Sequence, residues 1–342
     1  MFSYYCGIDL HARFCQLCVI DDAGDRVAES KLPNDLSQIL SFLQAYGTLS
    51  IAIESTFNWY WLVDGLQEVG HSVHLAHTLG LFMISGAKVK TDRRDAYKLA
   101  RYLRMGELPQ AHIYRQEKRP FRDLLRRRFH TVSARAAAYR GLRQQLMRYN
   151  QGALSMAQLR HLTIPDIQAL PIPCEVVDAC AMIQQQIEVF SDQIDYIDDY
   201  LQTVTRPDPV YTYLLGIPGI WHTLALTIYY EVDTIDRFPS ARHFASYCRL
   251  VPGTAQSAEK TKRGRGSKQG NHFLKWAFTQ AANAAAKYYP ECQRFRDKQQ
   301  RKRAKTSAAK MIANCILAHK LATATFHVLK KEVPFEMNKL FA

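Results

Sequence analysis

The chain has 342 residues, of which 45 are Lys or Arg and 31 are Asp or Glu, so its formal net charge is +14. This length suffices for two or three domains with separate cores. The positive charge favours a polyanionic partner, nucleic acid before an anionic membrane surface. Because no apolar run approaches the length of a membrane span and the N-terminus lacks a signal-peptide pattern, we expect a cytoplasmic protein with no membrane partner.

The first 85 residues alternate short apolar runs with helical patterns. Three extended runs separated by short turns predict an antiparallel meander. A helix, a strand, a helix, a strand and a helix follow, near residues 34–43, 49–54, 58–69, 72–76 and 78–85. By analogy, this β-β-β-α-β-α-β-α order predicts an RNase H-like α/β fold.

Two of these strands end in a carboxylate, Asp9 and Glu54, and two more carboxylates, Asp92 and Asp95, begin the helical segment TDRRDAYKLA. Acidic residues at a helix start are also common as caps, which is the alternative explanation for the second pair. Functional groups gather at the carboxyl ends of strands in open α/β sheets. Four convergent carboxylates repel one another unless a hard cation such as Mg²⁺ or Mn²⁺ binds them. The pattern therefore predicts metal-assisted phosphoryl transfer.

Eight cysteines are scattered along the chain, which predicts reduced thiols. Cys15 and Cys18 form a C-x-x-C close to His11. No second ligand pair follows at zinc-site spacing, so we expect strand residues here and not metal ligands.

The middle of the chain predicts two long helices. Residues 115–148 hold eleven Lys or Arg against two acids, which predicts a helix with one apolar stripe and a nucleic-acid-binding basic face that includes Arg126, Arg127 and Arg128. From Val176 to Val204, apolar residues alternate at spacings of four and three, which predicts a coiled-coil seam with an acidic outer face. The two helices could form an antiparallel hairpin, or the second could self-associate.

The C-terminal part begins after Pro207 and Pro209. Residues 214–232, LLGIPGIWHTLALTIYYEV, have the pattern of a helix-hairpin-helix turn, whose amides can bind phosphate; a plain helical turn is the alternative. A glycine-containing loop follows, and its basic residues predict further nucleic-acid contacts by Lys260, Lys262, Arg263, Arg265 and Lys268.

Seven short motifs lie along the chain in the order in which a known protein family has them: GIDLH, AIEST, TDRRDAYKLA, GIPG, LVPGTAQS, GSKQGN and VPFEMN. Through them the chain resembles, nearly end to end, the DEDD insertion-sequence transposases related to the Piv DNA invertase. The resemblance implies a RuvC-like domain over residues 1–112, a basic helix and coiled coil over 113–206 and a mainly helical transposase domain over 207–342. It also implies prokaryotic, nucleoid-associated recombination of double-stranded target and donor DNA, guided by a structured non-coding bridge RNA, in a homo-oligomer that is a dimer or, in the synaptic complex, a tetramer.

The resemblance also assigns roles to residues. It implies a Mg²⁺ or Mn²⁺ site at Asp9, Glu54, Asp92 and Asp95, and a nucleophile, Ser257, that becomes linked to a 5′ phosphate. Two positions depart from the family, because Ala258 and Arg249 stand where glycine is usual. One alternative is a RuvC-like, structure-selective endonuclease that uses metal-activated water without a serine nucleophile. Another is a nucleic-acid-binding coiled-coil protein without catalysis.

Overall fold

The protein is described by a computed structural model in two compact units, Met1–Gln116 and Glu117–Ala342. The first is a mixed α/β unit and the second is mostly helical, as the sequence predicts. The structure describes residues 2–85, 91–152, 154–204, 209–251, 254–257, 260–263, 269–303 and 306–341.

The first unit is a six-stranded sheet with helices on its faces. Its elements are, in chain order, β1 (Tyr4–Leu10), β2 (Phe14–Asp21), β3 (Arg26–Pro33), α1 (Leu36–Leu43), β4 (Ser50–Glu54), α2 (Tyr60–Glu68), β5 (Ser72–Ala76), α3 (Thr78–Ser85), α4 (Asp92–Arg104) and β6 (Gln110–Ala111). The strand order is β3-β2-β1-β4-β5-β6, with β1, β4 and β5 parallel and the remaining pairs antiparallel. This arrangement is consistent with the RNase H-like prediction.

Both faces of the sheet are covered, and the cysteine pair shows how. Cys15 packs in the core with α1 and α2, whereas Cys18 packs on the opposite face against α4. Because side chains alternate along a strand, residues three apart point to opposite faces, so the two thiols do not share a site. Burial raises the pKa of each to about 11. All eight cysteines are free thiols, as predicted.

Helix α4 approaches the backbone of β1 very closely at Gly7. A Cβ atom on Gly7 would lie 1.9 Å from the carbonyl oxygen of Ala96 and 2.6 Å from the amide nitrogen of Ala100. Only glycine allows this contact, since backbone atoms cannot move aside as a flexible side chain can. The contact sets how α4 lies across β1 and β2.

The second unit begins with the two predicted long helices. Its first four helices are α5 (Arg119–Arg148), α6 (Met156–His161), α7 (Ile164–Gln168) and α8 (Cys174–Val204). The α8 seam is buried at Val176, Cys180, Ile187, Ile194, Ile197 and Leu201.

The seam of α8 packs against α5 in antiparallel fashion. Arg128 contacts Asp198, and Arg135 donates to Ser191 at 3.0 Å, so residue numbers rise along one helix as they fall along the other. The structure therefore forms the hairpin, one of the two arrangements left open by the sequence.

The rest of the second unit packs around alanine-rich helices. Its elements are α9 (Pro209–Leu215), α10 (His222–Val232), α11 (Ala241–Tyr247), β7 (Thr254–Ser257), β8 (Lys260–Arg263), α12 (His272–Tyr288), α13 (Pro290–Arg301), α14 (Ser307–Lys331) and α15 (Met337–Leu340). Within α14, Ala308–Lys331 is long and apolar enough to cross a membrane by length and composition. Leu317, Ala318 and Leu321 are fully buried there, which is the pattern of a core helix.

The turn between α9 and α10 is also part of this core. Gly219 has φ +76°, and a Cβ atom on it would lie 2.2 Å from the carbonyl oxygen of Ala281. The amides of Gly216, Ile217 and Ile220 each donate to a carbonyl three residues earlier. Since these amides are engaged within the turn, the geometry favours the plain helical turn over a phosphate-binding one.

Candidate metal centre

The four predicted carboxylates come from three elements of the first unit. Asp9 is the penultimate residue of β1, and Glu54 is the last residue of the parallel neighbour β4. Asp92 and Asp95 lie in the first turn of α4. The close contact of α4 with β1 brings this turn to the edge where the two strands end.

The cap of α4 is a neighbouring residue and not either aspartate. Thr91 is the N-cap, and its hydroxyl accepts from the amide of Arg94 at 3.4 Å. The carbonyl of Thr91 accepts from the amide of Asp95 at 3.0 Å. The carboxylates of Asp92 and Asp95 are therefore not the N-cap of α4, although their place in its first turn also suits the helix dipole.

Asp9 shows that the four groups act on one another. It is only 4% exposed, and burial raises its pKa from the usual 3.8 to about 6. Nearby His11 opposes this rise in pKa, whereas the charges of Glu54, Asp92 and Asp95 add to it. A bound cation would relieve this repulsion, because opposite charge favours the ionised form.

A histidine that the sequence analysis considered only beside the C-x-x-C lies within the carboxylate cluster. His11 Nε2 is 3.2 Å from Asp9 Oδ2 and 3.4 Å from Asp92 Oδ1. One ligand atom from each of the three residues lies within 4.8 Å of the others. The spacing D-x-H at the end of β1 could have predicted that His11 lies beside Asp9, since residues two apart in a strand point to the same face.

The donor set fits a divalent metal ion. It offers carboxylate oxygens, which Mg²⁺ and Mn²⁺ prefer, and one imidazole nitrogen. Asp95 Oδ2 is buried without a hydrogen-bond partner among the described residues, whereas Oδ1 lies 3.6 Å from Lys98 Nζ. An ion held at this edge would supply the missing partner.

The predicted nucleophile belongs to the second unit. Ser257 is the last residue of β7, where it pairs with Lys260 at the start of β8. The side chains of Ser257, Lys260, Lys262 and Arg263 lie outside the description, as do residues Ala258, Arg265 and Lys268 as a whole. The roles assigned to them stay predictions.

Arg249 lies at a position where the resemblance implies glycine, and its backbone conformation explains why glycine is usual there. Its φ is +55°, in the left-handed region that glycine occupies without steric cost. Here the Arg249 side chain compensates by donating from Nε to the carbonyl of Gly270 at 2.8 Å.

The basic residues of α5 divide into internal and exposed groups. Arg126 Nε lies 2.5 Å from Glu231 Oε1, and Arg128 Nε lies 2.6 Å from Asp198 Oδ1. Both charges are neutralised within the chain, which the sequence analysis did not foresee. Arg127 is exposed and forms no ion pair with any described residue, so nucleic-acid binding stays a prediction for this position.

Comparisons with known proteins match both units. A DEDD transposase family model of the IS110 type, described as "Transposase", matches residues 6–151, and the model described as "Transposase IS116/IS110/IS902 family" matches residues 211–297.

Two relatives carry similar descriptions. "Putative transposase y4qE" of Sinorhizobium fredii is 27% identical over 65% of this chain and 55% of its own length. "Probable family 20 transposase" of Pseudomonas aeruginosa is 22% identical over 82% of this chain and 83% of its own. The chain thus spans little more than half of the first relative. The four carboxylates lie inside the first matched region. The chain thus carries DEDD transposase and C-terminal transposase domains of the IS110/IS116 family.

Proposed function

We propose that this protein is the transposase of an insertion sequence and that it cuts and rejoins double-stranded DNA. Asp9, Glu54, Asp92 and Asp95 would hold the divalent ion, Mg²⁺ or Mn²⁺. The observation that carries the proposal is the convergence of these carboxylates, from two parallel strands and one helix, within a domain that matches DEDD transposases.

The residues of the site have distinct tasks. A bound divalent ion polarises a phosphate and stabilises charge that develops on oxygen. Asp9 is buried in β1 and therefore has a fixed position, whereas the side chain of Asp92 is 43% exposed and would be accessible to DNA. Lys98, beside Asp95, adds positive charge for the DNA backbone.

The resemblance supports a finer proposal for the chemistry. The hydroxyl oxygen of Ser257 attacks phosphorus, its proton passes to a base, and the bond from phosphorus to the 3′ oxygen breaks. The 3′ oxygen leaves as a hydroxyl after it takes up a proton, and the 5′ phosphate stays on the serine. Reversal of these steps with a different 3′ hydroxyl joins new ends without a nucleotide cofactor. In this proposal a structured RNA guides a homo-oligomer to its target and donor sites.

Cleavage of DNA carrying the element's ends, by protein purified together with RNA from the element, tests the metal site. We expect Asp92→Asn to reduce Mg²⁺-dependent cleavage to background, because the site loses a ligand. Asp178→Asn, which changes an exposed carboxylate in α8, serves as the matched control. Cleavage by Asp92→Asn at the wild-type rate would refute the proposed site. Absence of Mg²⁺-dependent cleavage by the wild type itself would favour a non-catalytic binding protein.

A second experiment separates the serine mechanism from a metal-activated water. The four-carboxylate site fits both, so the RuvC-like endonuclease remains the second candidate. Denaturing gels should show a protein–DNA adduct with the wild type and with Ser246→Ala, an exposed serine in α11, but not with Ser257→Ala. If Ser257→Ala still cuts and rejoins DNA, the nucleophile is not this serine.

A further inference from the structure

We propose that His11 is a nitrogen ligand of the metal centre and that it biases the centre toward Mn²⁺ over Mg²⁺. This inference rests on the proposed function, because it adds a ligand to the same carboxylate site. It also chooses between the two ions that the carboxylates alone would accept.

The imidazole of His11 faces two carboxylates of the cluster. Its side chain is 38% exposed, but the Nε2 atom is buried, 3.2 Å from a carboxylate oxygen of Asp9 and 3.4 Å from one of Asp92, and it makes no hydrogen bond with correct geometry to any described residue. A buried polar atom is costly when its hydrogen bonding is incomplete. A shared cation would be bound by all three groups at once and would supply a partner for this nitrogen.

Contacts of its backbone and ring hold His11 in place before any ion binds. Its amide donates to the carbonyl of Phe14 at 2.9 Å, and its carbonyl accepts from the side chains of Asn34 at 2.9 Å and Asn58 at 3.1 Å. Its ring also packs against the ring of Phe14, with centroids 4.6 Å apart. Contacts of this kind orient metal ligands and reduce the entropy lost on binding.

The imidazole nitrogen of His11 also suits one of the two ions better than the other. Mg²⁺ demands oxygen ligands and keeps its water shell, whereas first-row transition ions accept imidazole nitrogen readily. One nitrogen among carboxylates therefore favours Mn²⁺ relative to Mg²⁺.

Pulsed electron paramagnetic resonance of full-length protein loaded with Mn²⁺ alone tests the nitrogen ligand directly. We expect the spectrum to show coupling of the ion to an imidazole nitrogen. The coupling should vanish in His11→Ala and persist in His161→Ala, which removes an exposed histidine of α6. A Mn²⁺ centre without nitrogen coupling in the wild type would overturn the inference.

Calorimetric titration provides a second readout that does not depend on catalysis. In His11→Ala we expect Mn²⁺ affinity to fall at least about tenfold, as for loss of supporting groups around metals, and Mg²⁺ affinity to fall less. His11→Gln, which offers an oxygen at similar reach, should restore Mg²⁺ affinity better than Mn²⁺ affinity.

The outcomes separate this inference from the proposed function. Unchanged or tighter Mn²⁺ binding by His11→Ala would overturn the role of His11 and leave the carboxylate site intact. Failure of the wild type to bind either ion would overturn both. If His11→Ala does not fold, the spectrum of the wild type still decides, because it requires no variant.

Discussion

Asp9 combines deep burial with a negative surrounding potential. Its raised pKa means that the folded, metal-free protein holds a proton on this group more tightly than the unfolded chain does. Its contribution to stability is therefore greatest below about pH 4 and is lost as the pH rises through about 6. The ionised carboxylate of Asp9 destabilises the metal-free protein above this pH. A bound metal ion would remove this destabilisation, which makes ion binding more favourable.

Asp9→Asn should consequently stabilise the metal-free protein while it removes function. Because one pKa unit corresponds to about 1.4 kcal/mol, we expect a gain of up to about 3 kcal/mol above pH 6, shrinking toward pH 4. Chemical denaturation at several pH values, in the presence of a chelator, measures this difference. Metal-dependent DNA cleavage by the same variant should be lost.

Asp22→Asn, which alters an exposed carboxylate beyond the end of β2, is the matched control and should change neither property. A destabilised Asp9→Asn at neutral pH would contradict the electrostatic account of the cluster.

At the scale of elements, the site depends on how closely a helix can lie on a strand. Gly7→Ala should destabilise the first unit by several kcal/mol and weaken Mn²⁺ binding, because its Cβ would collide with the backbone of α4 and displace Asp92 and Asp95. Thermal denaturation and calorimetric titration measure the two effects.

Gly141→Ala gives the opposite expectation for the same chemical change. Gly141 lies inside α5 with no atom within 4 Å of an added Cβ, so the substitution should stabilise the helix by about 0.5 to 1 kcal/mol. Equal effects of the two substitutions would show that close packing at Gly7 is not required.

Helix α13 carries accessible positive charge that could bind DNA. Cys292 and Phe295 anchor its apolar face, and Phe295 stacks on Phe341 with centroids 4.6 Å apart. A groove on the opposite face is lined by Arg294, Asp297, Lys298, Arg301 and Lys302. Of these, Lys298, Arg301 and Lys302 form no ion pair within the part of the chain that the structure describes. Their spacing places them on one side of the helix.

The double variant Lys298→Gln, Arg301→Gln should weaken DNA binding, and the loss of affinity should be larger at low salt than at high salt. Log affinity falls with log salt, and each lost phosphate contact makes this fall shallower by about 0.9, so two lost contacts change the slope by nearly twice that amount. Binding titrations at several salt concentrations measure the slope. Lys331→Gln, at the end of α14, is the control; a wild-type slope in the double variant would place the DNA elsewhere.

At the scale of the whole molecule, some of the basic residues stabilise the fold through a buried ion-pair network. Glu231 in α10 is 1% exposed and accepts from Arg122 at 3.1 Å, Arg126 at 2.5 Å and Asn271 at 2.6 Å. Burial alone would raise the pKa of Glu231, but these partners outweigh it and hold the pKa below its usual value. The network joins α5, α10 and the start of α12.

Glu231→Gln should therefore destabilise the second unit strongly. The buried Arg122 and the partly exposed Arg126 lose their counter-charge, which costs about 3 to 5 kcal/mol. The pKa of Glu231 is lower in the folded protein than in the unfolded chain. The loss of stability caused by Glu231→Gln should therefore be largest at neutral pH and should shrink as the pH falls below the usual range of a glutamate. Denaturant titrations across this pH range test the prediction.

Glu188→Gln, an exposed change in α8, should have little effect. If Glu231→Gln unfolds at the same denaturant concentration as the wild type, the network does not support the fold.

The sequence by itself determined the order of strands and helices from β1 to α4, because each depends on local periodicity and turn residues. It did not predict the two-residue strand β6, which is too short to show a periodicity. The sequence also placed Asp9 and Glu54 at strand ends and Asp92 and Asp95 on one helical turn, since these positions follow from spacing along the chain. The buried seam of α8 follows from the same kind of regularity.

The tertiary structure decided which faces meet. Periodicity defines the apolar side of α8 but does not identify α5 as its partner. Charge counting does not distinguish Arg126, which pairs with Glu231, from the exposed Arg127. Likewise, only the fold brings His11 between Asp9 and Asp92, because that contact requires a helix more than eighty residues away to lie against β1. Contacts over such separations depend on the packing of whole elements, for which a local pattern carries no information.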